Sequence, residues 1–553
     1  MAQDEDDRKI KADFEDAKQA RQNWESLWQD ISDLVELRND FTVKREKGQP
    51  RHNRVFDATA IRSNSQLAAG LESFLVNPRT KWFELRIPGE LGEREDVKQW
   101  LSEVRDRMLQ HFSRPEVNFY PAVHEGLIEL GAYGTMVHFI EDQPGSDDSP
   151  RFVSRPLPEV YVREADNGRI DTLYRKFTLT ARQAAQMYGE NNLPERIQKK
   201  LANNKQNEPE EFLQAVVPRK DFNPDKPKTQ DNKQWRSVHF AMGKGERVRD
   251  SGFDEFPFTV ARWTKATGEV YGRSPTMEVM PDIRMLQEMS KTVLRAAQKI
   301  VDPPLLVQDD GTMNPVKTMP GGLNYFRASV AGSQQAPVQP LQTGGRVDIG
   351  VDLIQQRQTA VQQAYMIPEI IGLVSRGDSS PLKATEVVGR QQQALRQLAP
   401  ILSRIQNEFL APAVDRTFAI MLRRELLPTP PEDIQGADFT VEFVSQAALA
   451  QQAAENENIL NWLQQVLPVL QIDPQAANNI DTDEFVRKTA ETNNVPPELM
   501  IDRAVVEEQR AQAAQERGQN RLVETLSEAG PGIQSLSEGA KTLSEVSRGS
   551  GQQ

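Results

Sequence analysis

The sequence has no cysteine among its 553 residues. This absence excludes disulfide scaffolds, thiolate metal sites and cysteine nucleophiles. No stretch approaches the ~18 uninterrupted apolar residues that a membrane span requires, so we expect no membrane partner. The first ten residues, MAQDEDDRKI, are acidic and polar, unlike a secretory signal. The length of the chain corresponds to roughly three to five domains. The lack of cysteine favours a protein made in a reducing compartment.

Positive charge is also in deficit, because 67 Lys and Arg residues stand against 80 Asp and Glu residues and give a formal net charge of -13. Tight binding to nucleic acid through bulk charge needs the opposite balance. One local stretch is basic, and two interpretations of it stay open: a solvated loop, or a surface for an acidic partner. Its cations are Lys44, Arg45, Lys47, Arg51 and Arg54.

Motifs for catalysis or metal binding are lacking as well. The only Gly-Lys pair, in Gly243-Lys244, is followed by glycine, so there is no phosphate-binding P-loop. The segment from Asp481 to Glu484 begins like a calcium loop, but Val486 occupies the position that requires glycine. No nucleophile elbow occurs. Five histidines are scattered, which favours structural roles: His52, His111, His124, His138 and His239. We therefore expect no enzyme, no catalytic residue, no cofactor and no metal.

Periodicity predicts an α+β protein. Apolar residues at three-to-four spacing indicate helices over 1–40, 57–76 and 92–112. Between about 134 and 263, short runs rich in Val, Phe and Tyr are bounded by turn residues and indicate strands. A short helix over Thr180–Tyr188 interrupts them, and the polar stretch 202–211 is expected to be a loop.

The chain then becomes helical from Pro275 to about Val301, where Asp302-Pro303-Pro304 ends the helix. One face of this helix is apolar. The opposite face is basic, and it either is solvated or faces a polyanion or an acidic neighbouring subunit; its cations are Arg284, Lys291, Arg295 and Lys299. A segment rich in turns, 302–345, separates it from a second helix, 348–366. We expect an antiparallel pair with a small domain at its tip.

The remainder is mainly helical in its pattern. Gly372–Pro381 has the composition of a flexible loop, and a long helical pattern follows from about 385 to 425. Pro400 and Pro412 lie inside that pattern and predict kinks. A short strand is expected near 438–444, then Gln- and Ala-rich helices to about 517 and a polar tail.

Three segments, in this order, resemble the portal proteins, or head-to-tail connectors, of short-tailed double-stranded DNA phages. The first contains Leu67, Gly70, Leu71, Asn77-Pro78 and Trp82-Phe83. The second is Tyr271-Gly272-Arg273-Ser274-Pro275 with Asp282-Ile283-Arg284-Met285-Leu286. The third is Lys383-Ala384-Thr385-Glu386-Val387. The resemblance covers roughly 50–520. It depends on the order of these segments and on the two helices, separated by the turn-rich segment 302–345, that lie between the second and the third.

The resemblance implies a phage portal fold with a mainly helical stem and crown, an α+β wing and a small α/β clip. It assigns 1–274 to the wing, 275–301 and 346–368 to two stem helices, 302–345 to the clip and 369–384 to a tunnel loop. Residues 385–449 would be a long kinked helix that returns to the wing, 450–520 the crown, and 521–553 a polar tail, disordered or a helical extension.

The resemblance also implies a homo-oligomeric ring of about twelve subunits at one capsid vertex of the virion, assembled in the bacterial cytoplasm. Double-stranded DNA would pass through the channel of this ring. The tunnel-loop residues beside the DNA would be Ser375, Arg376, Gly377, Asp378, Ser379, Ser380 and Lys383. The clip would bind the terminase large subunit and later the tail adaptor proteins, through Asp309, Asp310, Lys317, Tyr325 and Arg327. Major capsid and scaffolding proteins would be further partners.

Two alternatives remain at this point. Another ring-forming head-tail adaptor would also be a virion component, but adaptors are shorter and would leave the helical pair of 275–366 unexplained. A DNA-processing enzyme would need a cluster of metal-binding carboxylates, and the sequence offers no convincing one.

Overall fold

The computed structural model describes residues 2–46, 48–143, 149–223, 232–308, 319–326, 338–340, 347–374, 396–431 and 439–443, with a few isolated positions. The chain divides into two compact units. The first comprises 1–86, 103–429 and 439–449; the second comprises 87–102, 430–438 and 450–553. Nearly all of 450–553, including the expected crown and tail, lies outside the described residues.

Four helices dominate the N-terminal part: α1 (Ala2–Ile31), α2 (Thr59–Leu75), α3 (Glu95–Phe112) and α4 (Phe119–Tyr133). The first three confirm the predicted helices, with shorter bounds; α1 continues into a π turn, Ser32–Glu36. The sequence patterns did not indicate α4. Its sequence, FYPAVHEGLIELGAY, is apolar on nearly every side and most of its residues are buried, so it lacks an amphipathic period.

The basic stretch after α1 folds back on acidic residues near the end of that helix. Arg45 pairs with Asp33 at 2.5 Å and with Asp40 at 3.2 Å, and Arg51 pairs with Asp40 at 2.9 Å. Arg54 reaches Asp33 at 3.2 Å. Three of the stretch's cations therefore have partners within the chain, which favours a surface loop over a binding site for an acidic partner.

The expected strands form two antiparallel sheets. The larger sheet runs in sequence order through β4 (Val160–Glu164), β5 (Ile170–Thr180), β6 (Pro209–Pro218), β7 (Trp235–Ala241) and β8 (Glu246–Phe253). The smaller has the order β3 (Arg151–Ser154), β2 (Thr135–Glu141), β9 (Phe258–Arg262). Strands β3 and β8 were not predicted. The loop predicted over 202–211 is wrong at its end, because β6 begins at Pro209 and pairs there with β5.

The larger sheet is covered on both faces. On one face, α1 buries Ile10, Phe14 and Ala17, and the Phe14 ring meets the Tyr161 ring edge-on at 5.1 Å. The helices α5 (Ala181–Tyr188) and α6 (Glu195–Ala202) cover the other face. Thr180 caps α5 with a reciprocal pair of bonds to Gln183, so the predicted short helix is confirmed.

The C-terminal part of the first unit contains the helical pair. A short helix, α7 (Pro275–Glu278), leads into α8 (Met280–Val301); later come α9 (Val347–Ala364) and α10 (Ile367–Val374). Between α8 and α9 lies a three-stranded sheet of β10 (Leu305–Gln308), β11 (Leu323–Phe326) and β12 (Val338–Pro340). The helix predicted from Pro275 to Val301 is confirmed apart from a break at Val279.

The long helical pattern is described from residue 396. Residues 396–405 are helical through Pro400, a π turn follows over Gln406–Leu410, and α11 (Ala411–Arg423) continues. The irregularity therefore lies just before Pro412, where a proline has no N–H for the regular helical bond. The predicted strand near 438–444 is β13 (Thr440–Phe443), which pairs antiparallel with β1 (Phe83–Arg86).

Candidate assembly interface: a helical pair and its socket

The helices α8 and α9 form the antiparallel pair that the sequence predicted; we call them the helical pair. Gly350 lies so close to Val293 that a Cβ on Gly350 would come within 2.6 Å of Val293 Cγ2. Further along, Arg357 donates to Asp282 Oδ1 at 2.9 Å. Contacts therefore run in opposite directions along the two helices. We call 280–290 with 354–364 the basal half, and 291–301 with 347–353 the distal half.

Two hydroxyl groups and a phenol hold the base of the pair against the last turn of α4. Ser274 Oγ accepts from Met277 N at 3.1 Å, which caps α7, and donates to the Ala132 carbonyl at 2.7 Å. Thr276 Oγ1 donates to the Gly131 carbonyl at 2.7 Å. Because its single proton is used, Tyr365 must donate to Thr276, at 2.6 Å. These bonds satisfy carbonyls that the end of a helix leaves free. Ser274, Thr276 and Tyr365 are fully buried, and we call them the socket.

A close backbone contact beside the socket explains two glycines. Gly134 ends α4 in the left-handed region, at φ +79°. A Cβ on Gly272 would lie 2.1 Å from the Gly134 carbonyl oxygen, and only glycine permits this approach. The neighbouring Tyr271 is buried, which raises its pKa to about 12, and its hydroxyl accepts from Val162 N at 3.3 Å. The segment Tyr271–Pro275 is thus a structural junction.

A two-residue segment of the N-terminal part binds both helices of the pair. Gln287 Oε1 accepts from the N–H groups of Phe56, at 2.6 Å, and Asp57, at 2.9 Å. Gln287 Nε2 donates to the Asp57 carbonyl at 2.8 Å, and Gln358 Nε2 donates to Asp57 Oδ2 at 2.7 Å. We call Phe56 and Asp57 the clamp. Sequence reasoning missed it, since the partners are more than 200 residues apart and no local pattern links them.

The predicted basic stripe of α8 divides between the two halves. Arg284 forms an ion pair with Asp30 of α1. Lys291 pairs with Glu288 at 3.4 Å, and its Nζ lies 5.6 Å from the centre of the Phe56 ring. Arg295 and Lys299 have no ion-pair partner in the described part of the chain. Arg284 and Lys291 therefore contact the N-terminal part of the same chain, whereas Arg295 and Lys299 have no ion-pair partner among the described residues.

Apolar side chains are exposed in the distal half of the pair. Leu294 is 51% exposed, Val301 84% and Val351 50%. Ile300, Ile349 and Leu353 of this half are exposed as well. In the basal half, Ile283 and Leu286 are fully buried and Met285 is exposed. Several exposed apolar side chains on neighbouring helices are typical of an interaction surface.

The small sheet joins the distal ends of the helical pair. Its central strand β10 pairs in parallel with β11 and antiparallel with β12. Asn324 bonds twice to the backbone of Lys317, once as donor to its carbonyl at 2.7 Å and once as acceptor from its N–H. Of the predicted docking residues, Lys317 and Tyr325 lie on or beside this sheet. Asp309, Asp310 and Arg327 lie outside the described residues.

The tunnel-loop site residues predicted from Ser375 to Lys383 lie outside the described residues. Residues 369–374, which the prediction placed in this loop, are helical and belong to α10. This helix leads to the tunnel-loop site residues. It packs closely on α2, because a Cβ on Gly70 would come within 2.1 Å of Ile370 Cγ2. Met366, between α9 and α10, takes a left-handed φ of +53°, which changes the direction of the chain there. The glycine of the first resemblance segment thus positions α10.

Two histidines with displaced pKa values are enclosed by protein. Burial lowers the pKa of His138 to about 4, its Nε2 is 2.8 Å from the Ala122 carbonyl, and its ring stacks on Phe409. Burial lowers the pKa of His239 to about 3, and Tyr188 bonds to it at 3.0 Å. Neither histidine is accessible to a substrate. Within the described residues, no group of three or more acidic residues or histidines is placed to hold a metal.

The first unit thus combines an α+β part, a helical pair fixed at its base by the socket, and a small sheet at the distal end of that pair. Among the described residues, no helix is long and apolar enough to cross a membrane. The family model described as bacteriophage head to tail connecting protein matches residues 7–501. The chain belongs to this family.

Two curated proteins are similar over almost the whole chain. One is a probable portal protein of Bordetella phage BPP-1, 32% identical over 513 residues that cover 90% of each chain. The other is a portal protein of Salmonella phage epsilon15, 28% identical over 558 aligned residues that cover 99% of this chain and 96% of that one. The resemblance seen in the sequence is therefore confirmed, as is the mixed α+β fold. Head-to-tail connection is the function of the family.

Proposed function

We propose that this protein forms a closed ring of about twelve copies at one vertex of the capsid. The observation that carries the proposal is the helical pair, which is fixed at its base by the socket and the clamp but exposes Leu294, Val301 and Val351 in its distal half. Burial of apolar surface stabilises by about 25 cal/mol per Å², so this half gains by contact with other copies. In the ring, neighbouring copies would bury the apolar side chains that a single chain leaves exposed.

The centre of the ring would be the channel through which double-stranded DNA enters and leaves the head. A net charge of -13 per chain opposes firm binding of phosphate along the channel. Residues 375–380 and Lys383 would approach the DNA and make a few weak contacts, led by Arg376. Weak contacts suit a duplex that must slide, since each tightly held phosphate adds to the binding free energy.

The small sheet at the distal end of the helical pair would bind the packaging motor, through the terminase large subunit, and then the tail adaptor proteins. The docking residues would be Asp309, Asp310, Lys317, Tyr325 and Arg327. The sequence has no P-loop, so the energy for packaging would come from the motor. Capsid and scaffolding proteins would surround the ring in the virion, after assembly in the bacterial cytoplasm. The protein would act as a structural component, without catalysis.

Deleting residues 375–380 tests the DNA-channel proposal. We expect the ring to assemble as before, because none of these residues belongs to the socket, the clamp or the helical pair. Packaged or retained DNA per particle should fall to background, measured by nuclease-protected DNA in assembled heads. A control that replaces the six residues with a Gly-Ser segment of equal length separates loop length from side-chain contacts. Loss of the ring itself, with the protein folded, would show that the segment serves assembly instead.

A further inference from the structure

We infer that the two outer faces of the helical pair are complementary, so that the cationic face of α8 in one copy binds the acidic face of α9 in the next copy. This inference rests on the proposed ring and specifies how neighbours contact one another. The residues are Arg295 and Lys299 on α8, and Asp348 and Asp352 on α9. Exposed apolar residues of the distal half would pack beside these charges.

The positions of the charges follow from helical geometry. Successive residues of an α-helix are rotated by about 100°, so a residue two places along lies on nearly the opposite side. Val293 and Gly350 mark the line of contact between the two helices. Arg295 is two residues from Val293, and both Asp348 and Asp352 are two residues from Gly350. The cations and the carboxylates therefore lie on opposite outer faces of the pair.

The charges of the basal half already have partners within the chain. Arg284 pairs with Asp30, and Arg357 pairs with Asp282. In the distal half, Arg295, Lys299 and Asp352 have no partner among the described residues, although charges of both signs are present. The open charges coincide with the half in which Leu294 and Val351 are exposed. Apolar surface combined with complementary charge is typical of a specific protein interface.

The sign of each face also determines the symmetry of the contact. If two copies met through the same face, Arg295 and Lys299 would oppose their own equivalents, and like charges in contact cost free energy. The cationic face must therefore meet the acidic face. Such a contact is heterologous, and repetition of a heterologous contact produces a ring when the rotation closes. An isologous dimer through this surface is disfavoured.

Two charge-reversed proteins test the inference. One carries R295E with K299E, so that both outer faces are acidic; the other carries D348K with D352K, so that both are basic. Each alone should lose at least about tenfold in ring fraction, because every contact would join like charges. An equimolar mixture should restore rings in which the two proteins alternate. Negative-stain microscopy and native mass spectrometry measure the products.

The controls separate the possible failures. R249E reverses an exposed charge on β8 and should leave the ring intact. Circular dichroism of each variant must match the parent. If the parent forms no ring, the proposed function fails. If the parent forms rings and the reversed variants do so too, or if folded variants stay unassembled on mixing, the ring stands and the pairing of α8 with α9 is wrong.

Discussion

Replacing Arg262 with methionine is expected to lower the free energy of unfolding of the first unit by about 2 kcal/mol, because it takes the side-chain donors of Arg262 away from the partly buried carboxylates of Glu164 and Glu408. Arg262 lies on β9 with only 3% of its side chain exposed. It bonds to Glu408 of the π turn through Nε at 3.1 Å and Nη2 at 2.7 Å. The substitution therefore removes the side-chain bonds between β9 and the π turn and leaves the bond from the Arg262 N–H to Glu408, at 2.9 Å.

All five N–H donors of Arg262 have acceptors. Besides Glu408, they bond to Glu164 and to the carbonyls of Val270, at 3.3 Å, and Gly168, at 3.2 Å. Burial alone would lower the pKa of Arg262; the carboxylates of Glu408 and Glu164 reverse this and raise the pKa. Methionine can fill part of the space but cannot donate to any of these acceptors.

Urea unfolding followed by circular dichroism measures this prediction. Arg262→Lys keeps the charge but loses the planar fork, so we expect an intermediate loss. Arg249→Met is the matched control, since Arg249 is an exposed arginine of β8, the strand that precedes β9 in the sequence, and its replacement should change stability by less than about 0.5 kcal/mol. A loss for Arg262→Met no larger than that of the control would show that water replaces the guanidinium without cost.

Replacing Gly272 with alanine is expected to cost about 3 kcal/mol by overpacking. The added Cβ would lie 2.1 Å from the Gly134 carbonyl oxygen and 2.9 Å from Arg262 Cβ. The first of these atoms belongs to the backbone, so neither rotation of a side chain nor solvent can relieve the clash. If the chain at Gly272 moved away from the chain at Gly134, Ser274 would also lose its bond to the Ala132 carbonyl. We expect lower thermal stability and fewer assembled rings.

Gly268→Ala provides the matched control for this prediction. Gly268 lies four residues earlier in the same connection, has a φ of +84° and has nothing within 4 Å of the added Cβ. Its replacement should cost only the left-handed backbone penalty, about 1–2 kcal/mol. Thermal unfolding of both variants checks the difference. Equal losses of stability for Gly272→Ala and Gly268→Ala would mean that the backbone at Gly272 has room for a Cβ atom.

Sequence periodicity predicted the elements that depend on local patterns. The helix from Pro275 and the runs that became β2, β5 and β7 have clear alternation or helical spacing. It failed for β8, whose charged sequence ERVRDSGF reflects its place at the edge of the larger sheet. It also failed for α4, which is buried on nearly all sides.

The contacts that fix the helical pair were beyond the reach of periodicity. The Thr276–Tyr365 bond, the Gln287 bonds to the clamp and the approach of Gly272 to Gly134 join residues far apart in the sequence. The resemblance segments did contain Gly272, Ser274 and Gly70, and the structure supplies the physical reason for these three residues. The pattern of cations on α8 was visible, but only the structure separates the paired from the open ones.

Class averages of the purified protein by negative-stain electron microscopy test the central claim most directly. We expect closed rings of about twelve copies with a central hole. The reason is that the exposed residues in the distal half of the helical pair become buried only when different faces of neighbouring copies meet. A protein that stays monomeric or dimeric at every concentration, while folded by circular dichroism, would contradict it.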